Sequence, residues 1–303
     1  MNHTPLSRPS AAARSTPPNR RRSSALRLLG CVLSGALAAP AMAQSGTPAE
    51  ALLNNSWVFN LGGFVYGTDI TANLNGQSTV NPEVDFDKTF GKADDATRVR
   101  ADMLWRITPA HRMRLMYFDN SQTRSRVLEE DVKWGDYTFQ QGSRTDFKQE
   151  FKAINLAYEY AFMRRPSYEL AASLGVHYLD FKLQLSGNAI VTDANGNTTN
   201  VTGATKDSNV PAPLPMIGLR GGWAVAPNWF LDAQAQVFKL KYDAYDGNWS
   251  DVRVGATWMF SQNFGLGLAY NRFATRVDVE KDDFNGRLKL GYSGAQLFLT
   301  GTF

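Results

Sequence analysis

Apolar and polar residues alternate with a period of two through most of the chain beyond residue 56, most sharply in RVRADMLWRIT (98–108). Val99, Ala101, Met103, Trp105 and Ile107 hold one parity. Arg98, Arg100, Asp102 and Arg106 hold the other, with Leu104 the one apolar residue among them. Successive strand side chains point to opposite faces, so this segment is a strand with one apolar and one strongly charged face. Elsewhere, Ile154, Leu156, Tyr158, Tyr160 and Phe162 oppose Ala153, Asn155, Ala157 and Glu159. Trp229, Leu231, Ala233, Ala235 and Val237 oppose Asp232, Gln234 and Gln236, and Val252, Val254, Ala256, Trp258 and Phe260 oppose Asp251, Arg253 and Thr257.

Ten strands follow, at about 57–69, 97–108, 111–126, 145–163, 168–186, 213–226, 229–242, 249–261, 263–278 and 285–303. The breaks between them alternate in length. Short ones lie at 108–110, 164–167, 226–228 and 261–263, and long polar ones at 70–96, 127–145, 187–212, 243–249 and 279–284. A soluble sandwich has no reason to sort its connections this way. A transmembrane barrel does, with tight turns on one side and long loops on the other. Trp57, Trp105, Phe162, Trp223, Trp229, Phe260, Phe264 and Phe303 crowd the termini and short turns, where rings with polar handles suit a membrane interface.

Charge and composition refine this picture. Residues 1–43 carry Arg20, Arg21, Arg22 and Arg27 ahead of LLGCVLSGALAAPAMA, an apolar run too short to span a bilayer, ending in Ala41-Met42-Ala43. This is a secretory signal peptide, followed by a short polar periplasmic tail at 44–56. Setting the leader's six arginines apart from the chain's 32 lysines and arginines leaves 26 basic against 28 acidic residues, so no basic surplus argues for nucleic acid. Cys31, the only cysteine, lies in the leader, which excludes a disulfide scaffold from the exported part.

The chain ends in KLGYSGAQLFLTGTF. Leu297, Leu299 and Phe303 share one parity, and Leu288, Leu290 and Tyr292 the other, which predicts a register shift near Gly294. A terminal aromatic closing an alternating strand resembles the assembly signal of bacterial outer-membrane β-barrel proteins, and with the leader the likeness covers nearly the whole chain. The chain is similar to small OmpA-, OmpW- or opacity-type barrels. The stretch VDFDKTFGKADDATRVRADMLWRITPAHRMRLMYFD resembles a group of proteobacterial barrel proteins. The resemblance implies an all-β transmembrane antiparallel up-and-down barrel of about ten strands, with eight or twelve as alternatives. A hairpin arm at 84–91 would add to the count. It also implies periplasmic termini, extracellular long loops, and outer-membrane lipid, lipopolysaccharide and the barrel-assembly machinery as partners.

In such a barrel the apolar face is the outside. Arg98, Arg100, Asp102, Arg106, Arg112, Arg114, Glu159, Glu169, His177, Arg220, Asp232, Asp251, Arg253, Arg287 and Lys289 are then lumen residues, because a cation on the lipid face near the midplane costs about 2–4 kcal/mol. In a narrow barrel these charges pair into a plug or line a conduit for a small solute. Catalytic material is sparse: His177, with Ser173 and Asp180 near it in sequence, is the catalytic candidate, and His111 flanks a turn. Asp85, Asp87, Asp94 and Asp95 form an acidic loop cluster without EF-hand spacing, suited at most to ions bridging lipopolysaccharide. No metal site and no cofactor are expected. DANGNTTNVTGATKDSN reads as a flexible surface loop. The expected function is a structural or narrow-channel barrel with a charged, largely plugged lumen. The alternatives are a lipid-modifying enzyme and a loop-mediated adhesin.

Overall fold

The computed structural model describes residues 46–73, 84–90, 96–242, 245–281 and 284–303. The leader and Asp94 and Asp95 lie outside them. Ten long strands follow one another around a closed antiparallel ring: β1 (Trp57–Asn73), β3 (Ala96–Arg106), β4 (His111–Val127), β7 (Arg144–Arg164), β8 (Tyr168–Thr192), β9 (Thr198–Ala226), β10 (Trp229–Tyr242), β11 (Tyr245–Met259), β12 (Phe264–Lys281) and β13 (Phe284–Thr302). The ring closes where β13 pairs with β1, from Val58↔Thr302 to Asn73↔Arg287. Three short strands stand outside the ring: β2 (Val84–Asp85) pairs with β1, and the hairpin β5 (Val132–Trp134) and β6 (Tyr137–Phe139) pairs with β8. Among the described residues two helices complete the fold, α1 (Pro48–Asn54) and α2 (Phe86–Phe90).

The apolar parity faces outward all round the ring. Val99, Leu174, Leu219, Leu268, Leu297 and Leu299 are each about 60 % exposed, at 57–62 %. Trp57 stacks on Trp105, Trp229 registers with Trp258, and Phe264 meets Phe303 edge-on, so the aromatics gather at the short-turn rim. On β7 the outward apolar run Ile154–Phe162 gives way to Lys152, Glu150 and Lys148. The strand's 21 residues, tilted about 40°, rise about 50 Å, twice the ~25 Å apolar band of a membrane barrel. Its far half therefore stands clear of that band.

That extension corrects the long breaks. Strand pairing continues to Thr192↔Thr198, to Tyr242↔Tyr245 and to Lys281↔Phe284, so 187–212, 243–249 and 279–284 are mostly ribbon. Above the apolar band a strand needs no greasy face, so its polar sequence reads as loop. DANGNTTNVTGATKDSN is mainly the β9 arm of such a ribbon, turning at Asn195-Gly196 with Gly196 at φ 83°, a hairpin signal that Asn-Gly carries. The break at 127–145 likewise contains the β5–β6 hairpin, turned at Gly135 with φ 61°. Of the segment 84–91, expected as a possible hairpin arm, Val84 and Asp85 do pair antiparallel with β1 as the two-residue β2, Phe86–Phe90 forms α2, and residue 91 lies outside the described residues.

No register shift occurs near Gly294: β13 pairs continuously with both neighbours, and Leu290, Tyr292, Gln296, Phe298, Thr300 and Thr302 all point inward. The apolar parity changes because the lumen itself changes from polar to apolar along the strand.

The segment 44–56, expected as a tail, contains the buried helix α1. Thr47 and Glu50 form a reciprocal capping box, with Pro48 opening the first turn. Ala49, Leu52 and Leu53 pack against Val58, Leu104, Phe230 and Met259 inside the short-turn end of the barrel.

Candidate functional site

The lumen is filled in layers. Against α1 lies an ionic layer carried by β3, β4, β7 and β8. Arg112 is fully buried and reaches two carboxylates: Nη1 donates to Glu169 Oε1, and Nε lies 3.0 Å from Glu159 Oε2, off the hydrogen-bonding direction. Arg114 Nε donates to Glu159 Oε1 at 2.7 Å. Arg106 Nη2 approaches Glu169 Oε1 at 3.4 Å and donates to Leu52 O at 3.1 Å, while its Nη1 donates to Asn55 O at 2.5 Å. Arg164 Nη2 donates to Leu53 O at 3.0 Å. Two guanidiniums thus satisfy the terminal carbonyls of α1 and face the negative end of its dipole. The alternation explains the cluster: Arg106, Arg112 and Arg114 share the inward parity of one hairpin, and Glu159 registers with Arg112 across β4–β7.

The next level is also paired. Arg253 donates to Asp232 and lies over the Phe298 ring at 5.5 Å. Arg100 approaches Asp102 at 3.4 Å and donates to Asn271 Oδ1 at 3.2 Å, and Asn271 Nδ2 donates to Asp251 at 3.0 Å. Arg220 projects from the lumen face of β9, within electrostatic reach of Glu159 and Asp232. Buried charge in a narrow barrel survives through such pairing.

Above this layer the lumen is aromatic, which alternation alone did not reveal. Phe64, Tyr66, Phe118, Phe151, Phe181, Trp249, Phe273 and Tyr292 are all at most 5 % exposed and lie in one cluster. Phe273 and Tyr292 stack at 4.9 Å, and Phe118 meets Phe64 edge-on at 5.4 Å. At the far end, Phe86 and Phe90 of α2 lie on Phe147 at 4.7 and 5.1 Å. Asp85 accepts the Asp87 and Lys88 amides, and Asp87 accepts from Ile70 N and Arg124, at 2.8 Å each. These two acids of the loop cluster therefore hold α2 in place.

His177 belongs to the packing. Its ring lies 5.0 Å from Trp249 and 5.3 Å from Phe273, and Nδ1 is 3.2 Å from Asn155 Nδ2. Asp180 stands on the opposite face of β8, so Ser173, His177 and Asp180 do not assemble. His111 Nδ1 lies 2.5 Å from Tyr158 OH at the outer rim. Among the described residues, no cluster of three or more His, Cys, Asp or Glu could hold a metal.

Two of the lumen candidates are misplaced by parity. Because β13 keeps one register, Arg287 and Lys289 share the outer face, opposite Leu290 and Tyr292. Arg287 pairs there with Asp278 of β12, which also accepts from Arg276 Nε at 2.6 Å. Arg98 sits at the inner edge of the band, donating to Asn120 Oδ1 at 3.3 Å and to Ser121 O at 2.7 Å. Leu297 and Leu299 point outward, and Phe303 closes the ring by exchanging backbone hydrogen bonds with Trp57, at 2.8 and 2.9 Å.

No protein-family model matches the chain, and no curated protein matches it. Solved outer-membrane barrels do. The outer-membrane protease OmpT of Escherichia coli is 14 % identical at a TM-score of 0.55, covering 82 % of this chain and 97 % of its own. The toluene transporter TodX of Pseudomonas putida is 8 % identical at 0.37, covering 86 % and 93 %. Ail, the attachment invasion locus protein of Yersinia pestis, is 9 % identical at 0.26, covering 80 % and 99 %. At such identities the OmpT likeness shows the fold: this chain is an outer-membrane-type β-barrel.

Proposed function

We propose that the protein is a non-conducting structural barrel of the bacterial outer membrane, exported by the leader 1–43. The observation that carries this is the filled lumen: α1 at one end, a paired ionic layer, an aromatic layer, and α2 at the other end. A conduit for a small solute needs a continuous wet path, and the side chains across both hydrophobic layers are buried. In this account the termini and short turns face the periplasm and the ribbons stand outside the cell. The last strand, with Leu297, Leu299 and Phe303, is what the assembly machinery engages. Planar-bilayer recording tests the claim: correctly folded protein should be electrically silent, and sustained single-channel steps would refute it.

A second proposal rests on the β8–β9 ribbon, which runs on to Asn195-Gly196 and carries the β5–β6 hairpin on its flank. Among the described residues β8 and β9 are the longest strands, at 25 and 29 residues, and their ribbon is suited to presenting a binding edge to another surface. Shortening it at 189–202 should abolish surface adhesion while leaving barrel folding intact. Unchanged adhesion would remove this proposal.

A further inference from the structure

The pairing inside the ionic levels leaves one guanidinium over. Arg100 meets Asp102, Arg253 meets Asp232, Arg112 meets both Glu159 and Glu169, Arg114 meets Glu159, and Arg106 meets Glu169. Asp251, the other carboxylate at these levels among the described residues, accepts from Asn271. Arg220, on the inner face of β9, makes no hydrogen bond or ion pair with any described residue. Its neighbours in the sheet do not supply the missing charge. Across to β8 it registers with Ala171, and across to β10 with Gln234, which registers in turn with Arg253 of β11. Two guanidiniums thus bracket one amide. Glu159 and Asp232 lie within electrostatic reach of Arg220, but so do the cations Arg112 and Arg114.

Donors without acceptors gather around this point. Arg253 Nε and Nη2, Arg114 Nη2 and Gln236 Nε2 are all buried without a hydrogen-bond partner, on side chains at most 7 % exposed. Gln236 stands two residues beyond Gln234 on the inner face of β10. A buried donor left unused is costly, and more so when it carries charge. Arg220 and Gln234 themselves are only half-buried although both point into the lumen, and none of their polar atoms is among those sealed by packing. This level is therefore not packed shut.

We propose that the lumen binds a small inorganic monoanion at this level, held by Arg220 and Gln234 with Arg253 beside them. A surplus of one cation calls for one negative charge, and guanidinium and amide N–H groups are the donors such an ion takes. The closed wall, the α1 cluster below and the aromatic layer above exclude a bulky anion. The ion completes the neutralisation that the carboxylates leave unfinished, and chloride is the probe for it.

The test folds the full chain into phosphatidylcholine vesicles at constant ionic strength, with gluconate replaced stepwise by chloride. Radiolabelled chloride should bind at a single saturable site in equilibrium dialysis, and the urea midpoint should rise with the logarithm of chloride once the site begins to fill. Arg220→Gln should abolish both effects. In gluconate it should be at least as stable as wild type, because the unmatched cation is gone. Gln234→Leu, which keeps the charge, should weaken chloride binding about tenfold, and it reads the site even if Arg220→Gln fails to fold. Lys152→Gln, on the outer face of β7, should change neither measurement. Wild-type protein that binds no chloride overturns the site, as does a urea midpoint indifferent to chloride. Binding that is the same in wild type and Gln234→Leu, or that survives Arg220→Gln, overturns it as well.

Discussion

Arg112 is the point at which the ionic layer is most exposed to a single change. It is fully buried and touches both Glu159 and Glu169. Replacing it with methionine keeps most of the volume and removes the charge. Glu159 then retains Arg114 at 2.7 Å, and Glu169 retains Arg106 at 3.4 Å and Arg164 at 3.9 Å. Removing one partner of a buried pair costs about 3–5 kcal/mol. The surviving partners place Arg112→Met at the lower end, about 3 kcal/mol. Adding Glu169→Gln removes one of the two stranded charges, so the double variant should recover stability, with a coupling of about 1–3 kcal/mol. Urea titration in phospholipid vesicles, followed by tryptophan fluorescence and by the mobility of unheated samples on gels, measures each corner of the cycle. A loss under about 1 kcal/mol for Arg112→Met, or two substitutions that simply add, would refute the paired-layer account.

Gly267 sits under the Phe298 ring, which occupies the space a Cβ would need. Gly267→Val should lower the urea midpoint by an amount equivalent to about 1–3 kcal/mol, and Phe298→Ala should relieve the clash; if the two losses add in full, the ring is not what the glycine accommodates. In the outer ribbon, Lys206 donates to Asp136 at 3.0 Å, and this hydrogen bond holds the Asp136 carboxyl below the usual carboxylate range. A depressed folded-state pKa contributes stability above the unfolded value and loses it as pH falls through the folded one. Acidification below the normal carboxylate range should therefore speed amide exchange around residues 132–139, by no more than an exposed pair allows, well under about 1 kcal/mol. Lys206→Met should abolish that pH dependence, and its persistence would show that another group titrates.

Alternation made the barrel legible because lipid enforces it: a strand crossing the band must be apolar at every second position, as Ile154 to Phe162 are. Short turns were legible for the same reason, since they interrupt two such runs in quick succession. Legibility failed above the band. There the outer face is free to be polar, so the ribbons at 187–212 read as loop although Asn195-Gly196 marked a hairpin. It failed again in the lumen, where a polar interior was assumed throughout. Once Phe64, Tyr66, Phe118 and Tyr292 fill the upper interior, apolar residues mark the inside there, and Arg287 and Lys289 belong outside. The helix α1 carried its own signal in Thr47-Pro48-Ala49-Glu50, a capping box before an apolar stretch.

The account depends on which face of the sheet meets lipid. Collision accessibility of a nitroxide at Leu219→Cys in a Cys31→Ser background, in phospholipid bilayers, tests this directly, with Thr257→Cys as the inward control. Leu219 is 61 % exposed on the outer face and Thr257 is 3 % exposed on the inner one. The label at 219 should collide freely with oxygen and hardly at all with a water-soluble nickel chelate, while the label at 257 is shielded from both. Strong nickel collisions at 219 would place that face in water and contradict the account.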